Sequence, residues 1–234
     1  MGVTPSLIHA SVLVIGASRG LGYAIAEEYV QRGAKVVATV RSDAHTTLHS
    51  LQERVGDQLE IERVDINVPE QVEALRLRLG PRKFDLLMVN AGVGVAETVA
   101  EVSTDEYVRL MVTNALSPMR VIETLADVVA GDGTIAVMSS GQGSISNNLG
   151  GGAEIYRASK AALNQLMRSY AARHVGDARS LLLLAPGWVK TDLGGPHARL
   201  TTDESIPNLI SVVEAQRGHA GLQYLDYQGK TVAW

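Results

Sequence analysis

Not one cysteine occurs in this chain of 234 residues. That excludes a disulfide framework, a thiol nucleophile and a thiolate-held metal, and it suits a reducing cytoplasm, the expected location. Basic residues are not in excess: 21 Lys and Arg stand against 25 Asp and Glu, a net charge of −4, so nucleic acid is not an expected partner. Apolar runs are short. Residues 181–185 form one of the longest, far below a bilayer span, and no membrane partner is expected. Residues 1–6 have neither the basic patch nor the long apolar core of a signal peptide. The histidines (His9, His45, His49, His174, His197 and His219) are scattered without a His-Glu-x-x-His spacing, so no metal is expected.

What remains is an ordinary globular composition, 46% hydrophobic and 20% charged, in a length that fits one larger domain. No internal repeat, charge run or linker divides it, and residues 1–234 are expected to fold as a single domain. Short β-type runs at 12–15, 36–40, 59–64, 84–90, 134–139 and 180–185 alternate with helical patterns at 20–32, from Pro69, at 104–130 and at 153–174. A short last strand is expected within 224–234, and 194–208 reads as an irregular stretch. Strands separated by helices of this length predict an α/β fold: a doubly wound parallel sheet of about seven strands with helices on both faces.

After the first strand the chain reads Gly16-Ala17-Ser18-Arg19-Gly20-Leu21-Gly22 and opens into a helix. Glycines let the backbone approach a pyrophosphate closely, and a helix N-terminus offers free N–H groups to it. The spacing is Gly-x-x-x-Gly-x-Gly, so a plain strand-to-helix turn is the alternative. At the end of the second strand stands Arg41, with no acid at the tip. An acid there would bind the ribose 2′-hydroxyl of NAD(H), whereas an arginine accommodates the 2′-phosphate of NADP(H). With Arg19 as a second guanidinium, NADP(H) is favoured over NAD(H).

Further on, Tyr156 and Lys160 stand four residues apart, about one helical turn, on one face of the predicted helix. A cation there is expected to lower the phenol's pKa from about 10 and make it an acid or base useful near neutral pH. Alone, such a pair also occurs on solvated helices.

Taken in order, the glycine loop, Asp65, Asn90-Ala91-Gly92, Asn114, Ser139-Ser140, Tyr156 to Lys160 and Pro186-Gly187 resemble the short-chain dehydrogenase/reductase superfamily over nearly the whole chain. The Ser139-Ser140-Gly141-Gln142-Gly143-Ser144-Ile145 run, the Gly150-Gly151-Gly152 insert and Gly187-Trp188-Val189-Lys190-Thr191-Asp192 are similar to the small carbonyl reductases of the sniffer and C-factor (C-signal) type.

The resemblance implies a Rossmann sheet of order 3-2-1-4-5-6-7 and a carbonyl reductase using NADP(H). Tyr156 would be the general acid, Lys160 its pKa-lowering partner and ribose ligand, Ser140 the donor to the substrate oxygen, and Asn114 the holder of a relay water. Ser140 lies three residues upstream of the usual offset, which the glycine insert explains; Ser144 is the fallback, and Ser139 is expected to point away. Gly16, Ser18, Arg19, Gly20, Leu21, Gly22 and Arg41 would hold the phosphates, Asp65 and Ile66 the adenine, and Asn90, Ala91 and Gly92 the adenosine ribose. Pro186, Gly187, Val189 and Thr191 would meet the nicotinamide end. A substrate lid is expected around 193–208, and Trp188 reads equally as pocket or packing residue. The resemblance also implies a homodimer or homotetramer acting on a small carbonyl compound. The alternative function is a dinucleotide-binding signalling or regulatory protein of the C-factor type with little turnover.

Overall fold

A computed structural model describes residues 10–94 and 97–234. Seven strands form one sheet: β1 Ser11–Ile15, β2 Lys35–Val40, β3 Leu59–Arg63, β4 Phe84–Val89, β5 Val129–Met138, β6 Ser180–Ala185 and β7 Gly221–Asp226. Their order is β3-β2-β1-β4-β5-β6-β7, every neighbouring pair parallel. The helices are α1 Gly20–Gln31, α2 Thr47–Val55, α3 Pro69–Leu79, α4 Thr104–Met111, α5 Ser117–Leu125, α6 Glu154–Arg173 and α7 Thr202–Ala215.

Strand alternation divides the core into two layers. Leu13 and Ile15 of β1 face α3, α5 and α6 through Leu75, Ile122, Leu163 and Met167. Val12 and Val14 face α1, α2 and α7 through Ile25, Leu51, Leu209 and Val213. Because both faces are covered, the strands read as continuous apolar runs rather than alternating ones. Truncating one of these leucines to alanine is expected to cost about 2–5 kcal/mol, since so close-packed a site collapses poorly.

The chain winds outward from β1 to β3, then returns to add β4 on the other side. That reversal opens a crevice at the carboxyl ends of β1 and β4, the place where open α/β sheets bind ligands. Among the described residues, no helix is long and apolar enough to cross a membrane.

Five local expectations need correction. Residues 47–55 form α2, which starts at a capping box in which Thr46 and His49 bond each other's backbone. Residues 104–130 are not one helix: α4 gives way to a π-helical turn, Val112–Leu116, before α5. The fifth strand begins at Val129, with a register shift against β4 before the regular pairing from Thr134. The irregular stretch ends at Thr201, because Thr201 and Glu204 cap α7 reciprocally and that helix runs through Pro207. The last strand, β7, begins before the expected 224–234, at Gly221, and ends at Asp226, and a bridge between Leu225 and Thr231 folds the chain back on it.

Candidate active site

The glycine loop leaves β1 at Gly16, whose φ of +85° favours a residue without a Cβ. The loop is fixed by β2, as Gly16 N–H donates to Thr39 Oγ1 at 2.9 Å and Ala17 N–H to the Thr39 carbonyl at 2.8 Å. Asn90 Nδ2 donates to the Gly16 carbonyl at 3.0 Å, tying in the end of β4. At Gly22 a Cβ would stand 2.0 Å from the Gly16 carbonyl oxygen, so any side chain would force the loop open. No side chain caps the start of α1 and no acid lies in its first turn. The N–H groups and partial positive charge of the helix therefore face the loop unopposed, an arrangement that suits a pyrophosphate.

Two arginines mark the rim. Arg41 is exposed at the end of β2 and makes no ion pair among the described residues. The nearest following acid, Asp43, is engaged by Arg63 at 2.5 Å. Arg19 pairs with Asp192 at 3.0 Å, joining the glycine loop to the loop after β6. The same two loops meet at Thr191, whose Cγ2 is 3.7 Å from where a Cβ on Gly20 would stand. Asp65 accepts from Asn67 N–H at 2.9 Å in the turn after β3, beside the buried Ile66. Pro186 and Val189 are buried, while Gly187 is exposed on the lip.

Deeper in, Lys160 is buried and donates to the Met138 carbonyl at 2.9 Å. Burial alone pulls its pKa from 10.5 to about 8, because an ammonium loses its hydration there. Its Nζ lies 5.9 Å from the centre of the Tyr156 ring. The expectation that this cation lowers the phenol's pKa is not met. Burial raises the Tyr156 pKa, opposed by a hydrogen bond with the Ser140 hydroxyl. The ammonium is turned to a strand carbonyl instead of the phenol oxygen, so it does not offset the desolvation of a phenolate, and the Ser140 hydroxyl offsets it only in part.

Asn114 occupies the π-helical turn, an insertion that often marks a functional site. Its Oδ1 accepts from Val93 N–H at 2.8 Å, and its Nδ2 donates to the Val93 carbonyl at 2.8 Å and to Ser159 Oγ at 3.0 Å. Asn114 Oδ1 and Lys160 Nζ stand 3.4 and 3.5 Å from where a Cβ on Gly92 would be, so both border one space at the floor of the crevice.

The three serines separate cleanly. Ser139 is buried and donates to Asn164 Oδ1 at 2.6 Å, away from the crevice. The Ser144 hydroxyl is buried and accepts from Asn147 N–H at 3.1 Å, closing a turn. Of the three, Ser140 is the one whose hydroxyl acts on the Tyr156 phenol, lowering its pKa against the effect of burial. Its Oγ accepts from Gln142 N–H at 3.1 Å, which leaves its own proton free to be donated.

Over the crevice, Leu193 closes on Gly94: its Cδ1 is 2.4 Å from where a Cβ on Gly94 would stand, and Tyr156 Cδ2 is 4.0 Å from the same point. Trp188 is half-exposed and its Nε1 donates to the Gly194 carbonyl at 2.8 Å, so it braces the turn that carries Leu193.

Several participants have only a weak sequence signal. Thr39 is the one polar residue in the buried part of β2. Asn164 follows Lys160 by four residues on the same face of α6. Ser159 bonds both Asn114 and the Tyr156 carbonyl. Tyr224, far along the chain, donates to the Ser140 carbonyl.

A doubly wound sheet with a glycine-lined crevice and a Ser-Tyr-Lys group at its floor defines a class of dinucleotide-binding fold. The chain belongs to the short-chain dehydrogenase family, whose model matches residues 10–199. It is similar to a short-chain dehydrogenase/reductase of Burkholderia multivorans solved with bound NADP, at 57% identity, with 97% of this chain and 100% of that one covered and a TM-score of 0.95. A carbonyl reductase of Pseudomonas aeruginosa PAO1 in complex with NADP is 38% identical, with 97% and 100% covered and a TM-score of 0.90. The C-signal protein of Myxococcus xanthus is 35% identical over 153 residues, 64% of this chain and 92% of that protein.

Proposed function

We propose that this chain is an NADPH-dependent oxidoreductase that reduces a carbonyl compound (an aldehyde, ketone or quinone) to an alcohol. The observation that carries the reading is the grouping of Tyr156, Ser140 and a buried Lys160 ammonium in one crevice. Two hydroxyl donors beside a carbonyl oxygen would stabilise the charge that builds on it as it is reduced.

The residues fit the cofactor. Gly16, Ser18, Gly20, Leu21 and Gly22 would cradle the pyrophosphate, and Arg19 and Arg41 the 2′-phosphate. Asp65 and Ile66 would flank the adenine, Asn90, Ala91 and Gly92 the adenosine ribose, and Pro186, Gly187, Val189 and Thr191 the nicotinamide. The Burkholderia and Pseudomonas proteins, both solved with NADP, support that choice. When bound, NADPH supplies the hydride.

Tyr156 then acts as the general acid. Its raised pKa keeps it protonated at neutral pH, the form needed to give a proton to the oxygen. Lys160, charged below about pH 8, holds the nicotinamide ribose and stabilises the phenolate left behind. Asn114 keeps a water in line with Lys160 to return the proton. Residues 193–208, the loop and the first turns of α7, serve as the lid, with Leu193 nearest the tyrosine. Exposed apolar residues on the helices after β4 and β5 (Tyr107, Val108, Leu116 and Leu166) support assembly as a homodimer or homotetramer.

The test is a panel of aldehydes, ketones and quinones with NADPH, followed by loss of the reduced nicotinamide absorbance. Oxidation above background with at least one class is expected. None with any class would sink the enzyme reading and leave a regulatory dinucleotide binder.

A further inference from the structure

One buried hydroxyl beside the reaction centre has no task in the mechanism above. Tyr224 of β7 is only 1% exposed, yet carries a phenol into the core. A buried hydroxyl is costly unless it is hydrogen-bonded, and a phenylalanine would fill the same volume without that cost. The phenol donates to the Ser140 carbonyl. The same carbonyl accepts from Gly143 N–H at 2.8 Å, so both of its lone pairs are engaged. Asn164 holds the other end of this turn, donating from Nδ2 to the Gly143 carbonyl at 3.3 Å while its Oδ1 takes the Ser139 proton.

Side chains from β7 and α6 thus grip the backbone on either side of Ser140 without touching its hydroxyl. Ser140 Oγ takes its direction from Gln142 N–H, which belongs to the gripped turn. Tyr224 is itself braced. The Trp234 ring packs on it with centroids 5.6 Å apart, and the Arg168 guanidinium covers Trp234 at 4.8 Å. Val232 N–H donates to the Tyr224 carbonyl at 2.8 Å. Ser146 donates to the Trp234 carbonyl from its backbone N–H at 3.0 Å and from its hydroxyl at 2.6 Å, which ties the far side of the catalytic loop to the same segment.

We infer that Tyr224 is a positioning residue: by saturating the Ser140 carbonyl it fixes the 140–143 turn, and so keeps the Ser140 hydroxyl aimed at Tyr156 and the substrate oxygen. Residues 232–234 hold Tyr224 in place for this task. The inference rests on the oxidoreductase reading, and the experiment separates the two.

Tyr224→Phe keeps the ring and its packing and removes only the hydroxyl. With NADPH and a carbonyl compound that the unmodified chain reduces, kcat is expected to fall about 10- to 100-fold, the scale of a small misplacement at a reacting centre. The KM for NADPH should stay within about two-fold. A Ser140→Ala background supplies the decisive arm. There the hydroxyl to be aimed is absent, so adding Tyr224→Phe should change kcat by less than about two-fold. An unchanged kcat in the single variant, or the same loss in both backgrounds, overturns the inference. Amide hydrogen exchange gives a readout independent of turnover: the amides of Gln142 and Gly143 should exchange faster in Tyr224→Phe, while those of 16–22 keep their rates. If the unmodified chain reduces nothing, the enzyme reading fails by itself. Unaltered exchange at 142–143 would then refute the anchoring as well.

Discussion

Lys160 Nζ donates to the carbonyl of Met138, 2.9 Å away, on a side chain that is almost wholly buried. The contact holds the ammonium at the carboxyl end of β5 rather than on the Tyr156 phenol. It also leaves the lysine with a pKa of about 8, inside the range of ordinary assays.

The first prediction is a pH dependence. Above about pH 8 Lys160 loses its charge, and the phenolate that forms on Tyr156 loses its support. Carbonyl reduction, measured as kcat/KM, which reports the free enzyme, should therefore fall as pH rises through that value. Lys160→Arg keeps a cation at alkaline pH and should move the falling limb upward by about one unit or more, at lower overall rate. A profile flat between pH 7 and 10 would count against the assignment.

The second concerns stability. A lysine whose folded pKa lies below its unfolded value binds its proton more weakly in the native state. Between about pH 8 and 10.5 the unfolded chain holds more protons, so this group's contribution to stability rises with pH across that window. At pH 7 the penalty is fully present. Lys160→Met should thus stabilise the unliganded protein at pH 7 by about 1–2 kcal/mol, after subtracting the lost hydrogen bond to Met138. Urea unfolding at pH 7 and pH 10 should show the gap between variant and parent narrowing at the higher pH.

A third set tests the hydroxyls. Tyr156→Phe should lower kcat by about 10²- to 10⁴-fold, the usual contribution of a positioned acid, and leave NADPH binding nearly intact by fluorescence titration. Ser140→Ala should cost about 10²- to 10³-fold, as for one lost oxyanion donor. Ser144→Ala removes only an acceptor for Asn147 N–H. It should destabilise by about 1 kcal/mol with kcat unchanged. The reverse pattern for the two serines would exchange their roles.

The fourth concerns the cofactor rim. Arg41→Ala should weaken NADPH by about 10-fold or more and NADH hardly at all, as expected if the guanidinium meets a 2′-phosphate. Asp192→Asn releases Arg19 from an ion pair whose side chains are both 76% exposed. A surface pair is weak, so the gain in NADPH affinity should be only about two- to five-fold, and it should fade at high salt. Isothermal titration at two ionic strengths would show both effects.

Much of this was legible because it is local. The glycine loop announces itself by glycines at one strand-to-helix junction, and Gly22 admits no substitute because a Cβ would land on the Gly16 carbonyl. The apolar runs marked the middle of the strands, since a sheet covered on both sides tolerates little else. Boundaries were less visible. The helix α2 is short, with only Leu48 and Leu51 buried, and its capping box through His49 is an unusual pairing. The π-helical turn at 112–116 has no periodicity of its own, and its one-residue excess shows only in the hydrogen bonds.

Residue spacing alone determined that Tyr156 and Lys160 share a helix face and that glycines lie at the junction of β1 and α1, because both follow from the regular geometry of a strand and a helix. Which serine meets the tyrosine was decided by the tertiary structure. So were the direction of the lysine's proton donation, the rise rather than fall of the phenol's pKa, and the clasp of Tyr224 on a turn 84 residues away. Each of these depends on what burial removes and which distant group replaces the lost water, and no spacing along a chain encodes that.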